Sequence, residues 1–229
     1  MIDCVSIATN HHFSGNPLLG QHQLRYREVI QKEKWGNIYT VDGMEFDQYD
    51  NLATEYYIAR NTKGEVLGVT RSYPTTIPYM LSEAFKFLIT QNFPSSPKVV
   101  EASRLVLDRS LLSKEQRQPV IDQLIVAYME RGLQRGIDCY VGFMLPKIWN
   151  STFIRAGWDV QWLGPEILLS GTTDIVRAAL MPVSEKMNEK VRNQTGLYGD
   201  VLNYGEGQKP RSASIAGYSH IHEDIRRVA

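Results

Sequence analysis

The chain has 229 residues, 43% hydrophobic and 22% charged, with 25 basic against 25 acidic side chains, so it can build one sizeable core but carries no net charge to draw it to nucleic acid or an anionic membrane. No run reaches the ~18 to 20 apolar residues of a membrane span and the N-terminus lacks a basic-then-apolar signal pattern, so no membrane insertion and a cytoplasmic location are expected. Cys4 and Cys139 lie in apolar strand-like runs without metal-ligand spacing and read as buried thiols.

In chain order, residues 2–9 predict a short strand, and residues 18–34, with Leu18, Leu19, Leu24, Val29 and Ile30 set amid charge, predict a helix or helix pair. Residues 35–51 are rich in Gly, Asp and Asn and hold no period; a loop of that length in a compact domain is usually functional. Residues 54–60 and 66–73 read as strands joined by a turn at 61–64, a β-hairpin. A short helix over 78–88 and a strong strand over 98–108 follow. The best helix spans 113–135: Ser113 caps it, Gln116 stands three residues on, Gly136 ends it, and Pro119 predicts an irregular first turn. Then come a strand (138–145), a helix (146–156) and two strands (159–163 and 166–170).

Strand–helix–strand alternation over 98–145 requires a crossover connection, and the hairpin before it makes the sheet mixed. The expected class is α/β (α+β), a mixed, mostly antiparallel sheet flanked by helices. The domain is expected to cover 1–182, with 183–229 a C-terminal extension that is partly flexible and loosely packed from Gln194 onward.

Four carboxylates, Asp42, Glu45, Asp47 and Asp50, crowd the loop that begins at Trp35, with Arg25 before it and Arg71 after it. Carboxylates beside cations are what a small zwitterion requires, yet the same residues serve equally as Asx turns and ion pairs that brace a loop. The Asp/Asn pattern of a calcium loop is absent. Trp35 suits a pocket lid or a core cap. Glu101 and Arg104 interrupt the otherwise apolar 98–108 strand. Burial raises a carboxyl pKa and a nearby arginine lowers it, so Glu101 is a candidate general base. Strict alternation puts Glu101 with Ser103 and leaves Arg104 on the other face; for both to serve one site the strand must be bulged or end there. His11 and His12 lie at one end of the sequence and His220 and His222 at the other, so no metal site is expected.

Taken in order, Arg25, Trp35, VDGMEFDQYDNLAT with Asp47 and Asp50, Arg71, PTTIPYML with Phe85 after it, Glu101-x-x-Arg104 and AGWDVQWLGP resemble the acyl-homoserine-lactone (autoinducer) synthases of bacterial quorum sensing. The resemblance covers roughly residues 24–180. Two positions depart from it: Val29 and Leu105 stand where the family favours phenylalanine, and Val29 implies a more open wall of the S-adenosylmethionine pocket.

The resemblance implies a GNAT-like fold and an N-acylation followed by lactonisation, in which S-adenosylmethionine is a substrate, no cofactor is bound permanently and methylthioadenosine is released. Its amine would lose a proton to Glu101, with Asp47 the rival base and Arg104 orienting the carboxylate. Arg25, Val29, Trp35, Asp47, Asp50, Arg71, Phe85 and Ser103 would line its pocket. The acyl donor would be a thioester of acyl carrier protein or of coenzyme A. The turn before the long helix lacks the glycines that cradle a pyrophosphate, which fits the carrier, with Lys98, Arg109, Arg117, Lys147 and Arg155 as its landing surface. The acyl chain is expected between the sheet and the 113–135 helix, among Met129, Tyr140, Phe143, Met144, Leu145, Trp149 and Phe153. No Ser or Thr stands in 139–145, which speaks against an oxo-substituted chain. Two other readings stay open: a GNAT-like N-acyltransferase acting on a different amine with acyl-CoA, and a non-catalytic ligand-binding member.

Overall fold

The computed structural model describes residues 1–33, 38–91 and 95–208. Trp35, His220 and His222 therefore lie outside the described residues. A nine-stranded sheet organises the chain: β11–β1–β4–β5–β6–β7–β10–β8, with β9 on β10. The strands are β1 (Ile2–Val5), β4 (Glu55–Arg60), β5 (Val66–Pro74), β6 (Val99–Leu107), β7 (Cys139–Met144), β8 (Gln161–Trp162), β9 (Ile167–Leu168), β10 (Ile175–Pro182) and β11 (Leu202–Asn203). Among the described residues only β1–β11 and β6–β7 pair in parallel, which is the mixed, mostly antiparallel sheet expected.

The crossover from β6 to β7 is made by α3 (Lys114–Arg135), with the Ser113–Gln116 capping box and a left-handed Gly136 at its end. Pro119 does not disturb it; the helix runs unbroken, and only the Glu115 carbonyl is deprived of a partner by the missing N–H. One face of the sheet packs under α3 in a core that includes Tyr57, Val100, Tyr128, Met129, Tyr140, Trp149, Phe153 and Trp158. The other face is covered by α1 (Pro17–Arg25), by the short α2 (Met80–Glu83) and by Tyr49 of the acidic loop.

Two regions differ from the sequence reading. The 35–51 loop contains a ribbon, β2 (Tyr39–Val41) and β3 (Met44–Phe46), closed by Asp42 and Gly43. Both turn residues have positive φ, 48° and 73°, the geometry of a two-residue hairpin for which Asp-Gly is a strong local signal. The polar stretch after Pro182 does not trail away at Gln194. Ser184 caps α5 (Glu185–Thr195), which buries Met187 and Val191, and β11 then pairs with β1. A polar composition conceals this because α5 needs only one narrow apolar stripe. Among the described residues no helix is long and apolar enough to cross a membrane.

Candidate functional site

The helix of α1 continues as a π-helical turn, Tyr26–Lys32, that buries Glu28 and Val29. The widened turn follows directly on Arg25, and π-helical segments are often found at functional sites. Arg25 is fully buried and reaches across to the acidic loop, where its Nε bonds Glu45 and its two terminal nitrogens hold both oxygens of Asp50 at 2.8 Å. Arg71, also fully buried, bonds Asp47 twice (2.7 and 2.6 Å) and Asp50 once (2.6 Å), while its Nε donates to the Ser103 hydroxyl at 2.9 Å. Arg104 closes the ring, donating to Glu45 at 2.9 Å and Asp47 at 2.7 Å. Arg25, Arg71 and Arg104 and the carboxylates Glu45, Asp47 and Asp50 thus form one network.

Arg104 joins it because β6 is bulged. Between Val69↔Val106 and Arg71↔Ser103 the strand carries one more residue than its partner, and Arg104 has φ 57°. A left-handed residue in a bulge re-aims its side chain, so Ser103 and Arg104 serve the same face despite being neighbours. The sequence required the strand to be bulged or to end there, and the bulge at Arg104 and Leu105 meets that condition.

Bracing and ligand holding separate within the loop. Asp50 takes bonds from Arg25, Arg71, the Tyr56 hydroxyl (2.7 Å) and the Asp47 backbone N–H (2.9 Å). Burial works to raise its pKa, but Arg25 and Arg71 hold it well below the carboxylate range. Glu45 is likewise lowered, by Arg25 and Arg104 against the larger pull of burial. Asp47 alone of the three lines an open cleft, of about 350 Å³, with Ile38, Tyr39, Phe46 and Gln48. Sequence reasoning missed Glu45 as a hub; four carboxylates in one loop gave no means of ranking them.

Glu101 has a different setting. It is fully buried, and its two oxygens accept the backbone N–H groups of Met80 (2.8 Å) and Leu81 (2.9 Å) at the start of α2. Burial pushes its carboxyl up to about 7, with the Tyr73 hydroxyl, the N–H bonds and Arg71 pulling the other way. A buried acid near neutrality is suited to taking up a proton. The β6–β7 pairing ends at Glu101↔Val141, although both strands run on.

The seven residues expected around an acyl chain divide between the two faces of the sheet. Met129, Tyr140, Trp149 and Phe153 are buried in the core under α3, and Met144 packs against them. Phe143 and Leu145 lie on the opposite face with Phe85, whose ring is 4.2 Å from that of Phe143. The expectation that all seven sit between sheet and α3 is corrected for these two: alternation along β7 turns Phe143 away from Tyr140 and Met144. Of the five surface cations expected at a carrier interface, Arg109 is paired with Glu28 and Glu33, Arg155 with Asp122 and Lys98 with Asp138. Arg117 donates to backbone carbonyls of Leu112 and Arg109.

The model of the autoinducer synthase family matches residues 13–191. The chain belongs to the autoinducer synthase (acyl-homoserine-lactone synthase) family. It is 32% identical over 188 residues to the isovaleryl-homoserine lactone synthase of Bradyrhizobium diazoefficiens, covering 79% of this chain and 82% of that one. Against an acyl-homoserine-lactone synthase of Pseudomonas aeruginosa the identity is 29% over 201 residues, 86% of this chain and 95% of that one. Among solved structures, a CoA-dependent acyl-homoserine lactone synthase holding SAM and isopentyl-CoA superimposes with a TM-score of 0.81 at 27% identity, over 96% of this chain and 99% of the other. An N-acyl amino acid synthase shares the fold, with a TM-score of 0.51 at 8% identity.

Proposed function

We propose that the chain makes an N-acyl-L-homoserine lactone from S-adenosylmethionine and an acyl thioester, with Glu101 as the base. The observation that carries this is the pairing, on one face of β5 and β6, of a poised buried carboxyl with an arginine-braced acidic cleft.

Asp47 faces the cleft and provides negative charge for the ammonium or sulfonium of S-adenosylmethionine. Arg25, Asp50 and Glu45 act behind it as braces, because their polar atoms are already taken up within the protein. Val29 is buried in the π-helical turn that follows Arg25, and Arg71, Arg104 and Ser103 fix the position of Asp47. Trp35 and Phe85 are assigned to the adenosyl side by family resemblance. The amine is protonated at neutral pH and becomes nucleophilic once a proton passes to Glu101. It attacks the thioester carbonyl, the carbon–sulfur bond breaks, and the thiol leaves. The substrate carboxylate then displaces methylthioadenosine to close the lactone.

Asp47 is the poorer base, since two guanidinium groups already engage it. Acyl-CoA is the favoured donor: the likeness to a synthase that is CoA-dependent spans nearly the whole of both chains, and three of the five cations proposed for a carrier are neutralised by acidic neighbours.

The test is incubation of the protein with S-adenosylmethionine and matched panels of acyl-CoA and acyl-carrier-protein thioesters, with products identified by mass spectrometry. Acyl-lactone and methylthioadenosine are expected, faster from CoA. Acylation of other amines without methylthioadenosine would instead make the chain a different N-acyltransferase, and no product from any donor would remove the enzymatic reading.

A further inference from the structure

On the face of the sheet that carries the acidic cleft, Arg71 and Tyr73 of β5 stand directly across from Ser103 and Glu101 of β6. Alternation places these four side chains together in a two-by-two array. Three of them are satisfied: Arg71 by Asp47, Asp50 and Ser103, Ser103 by Arg71, and Glu101 by two backbone N–H groups. The Tyr73 hydroxyl makes no well-formed hydrogen bond among the described residues, although the residue is fully buried and the hydroxyl interacts with Glu101 and Ser103.

The ring itself is well fixed. It stacks on Tyr49 with centroids 5.5 Å apart and planes 5° from parallel, and the Arg71 guanidinium lies 5.3 Å from its centroid. Tyr49 follows Asp47 and Gln48 in the loop that lines the cleft, so Tyr73 links that loop to Glu101. A buried hydroxyl left without a good partner keeps the cost of its lost hydration. Phenylalanine would fill the same space without that cost. The hydroxyl is explained if its partner arrives with the substrate.

We propose that the Tyr73 hydroxyl relays the proton from the substrate ammonium to Glu101, an assignment that rests on the reading that the amine of S-adenosylmethionine is deprotonated before it attacks. In this step an ammonium N–H bond breaks and its proton goes to the Tyr73 oxygen. The phenol's own proton passes to a Glu101 oxygen. The amine gains a free lone pair, Tyr73 ends neutral as it began, and Glu101 ends protonated. Burial and the neighbouring Glu101 charge hold the phenol well above its ordinary range, so it passes a proton on rather than losing one. The relay also explains how a carboxylate enclosed on both oxygens serves as the base for a substrate in the cleft.

The experiment compares the full-length wild type with Tyr73→Phe, Glu101→Gln and the double variant, measuring kcat, the KM for S-adenosylmethionine and the thermal midpoint. Tyr73→Phe is expected to lower kcat about 100-fold, as loss of a proton-transfer group does, with KM changed by less than about threefold. Its midpoint should be unchanged or higher, because the hydroxyl it removes makes no well-formed hydrogen bond. The double variant should be no slower than Glu101→Gln, since both act on one transfer. Tyr73→Phe turning over within about threefold of wild type, or melting clearly lower, overturns the relay, as does full additivity in the double variant. Failure of the wild type itself to release acyl-lactone is a separate result, and it overturns the reading beneath.

Discussion

Glu55 and Glu101 belong to the same sheet, one strand apart, and face opposite sides of it. Glu55 pairs across to Ser72, on the side of α3, where Arg131 (2.5 Å) and Arg135 (2.9 Å) clamp it. Glu101 pairs across to Tyr73, beneath the acidic loop, and is held by two backbone N–H groups, with no guanidinium bonded to it. Burial is the largest influence on both and raises both. At Glu55 the two arginines overturn it and the carboxyl is held down to about 2; at Glu101 it prevails and the carboxyl rests at about 7. Each face has open space, a hollow of about 160 Å³ that borders Glu55 and Arg131 on one side and the cleft lined by Asp47 on the other. A cavity with a buried acid therefore does not identify the chemical site. The neighbouring charge does: guanidinium groups lock the carboxylate as a fastening, whereas N–H groups hold it in place and leave it able to change protonation.

The largest contrast should be kinetic. Glu101→Gln should lower kcat by about 10²- to 10⁴-fold while S-adenosylmethionine binding, measured by calorimetry, changes little. Near-normal turnover would take the base role from Glu101 and return Asp47 to consideration.

Next in size is the pH dependence, where the two carboxylates should act with opposite sign. Glu101 is raised from 4.5 to about 7 in the fold, so the stability it confers is fully present below 4.5 and drains away as pH rises through 7, on the order of 3 kcal/mol in all. Glu55 is lowered from 4.5 to about 2, so its contribution is present above 4.5 and is lost as pH falls through 2. Denaturant titrations across pH should show the neutral slope vanish in Glu101→Gln and the acid slope weaken in Glu55→Gln. The wild-type kcat/KM should rise with pH through about 7 if Glu101 must be ionised to act.

Glu55→Gln at neutral pH should cost about 2–3 kcal/mol by denaturant midpoint, less than a fully enclosed pair because part of the side chain meets solvent. Turnover of the remaining folded protein should be unchanged. A loss of turnover at constant stability would dissolve the distinction between the two faces.

That distinction was only half legible in the sequence. Ser113, Gln116 and Gly136 bounded α3 because caps are local chemistry, and the crossover followed from element order. Asp42-Gly43 is an equally local signal, yet the surrounding polarity hid its two short strands. Glu101 stood out as a charge in an apolar strand. Glu45 did not stand out, because its importance comes from Arg25 and Arg104, which approach it from 20 and 59 residues away in sequence. Nothing in the sequence singled out Tyr73 at the end of its strand, since the lack of a well-formed hydrogen bond is a property of three-dimensional surroundings. The direction of Arg104 depended on a bulge, for which an Arg in the left-handed region gives no compositional hint.

Arg104 offers the smallest and most specific test. With φ 57° it occupies a conformation that costs a residue with a Cβ roughly 1–2 kcal/mol and costs glycine little. Its side chain compensates through Glu45 and Asp47. Arg104→Ala loses those bonds and keeps the strain; Arg104→Gly loses the same bonds and releases it. Arg104→Gly should therefore be the more stable of the two by about 1 kcal/mol in denaturant titrations, even though glycine elsewhere in a strand weakens it. Both should be impaired in turnover to a similar degree, because both free Asp47 from one of its two guanidinium partners. Were Arg104→Gly the less stable variant, the bulge would be an ordinary strand irregularity, and the arrangement of Ser103 and Arg104 on the Glu101 face would need no backbone strain to maintain it.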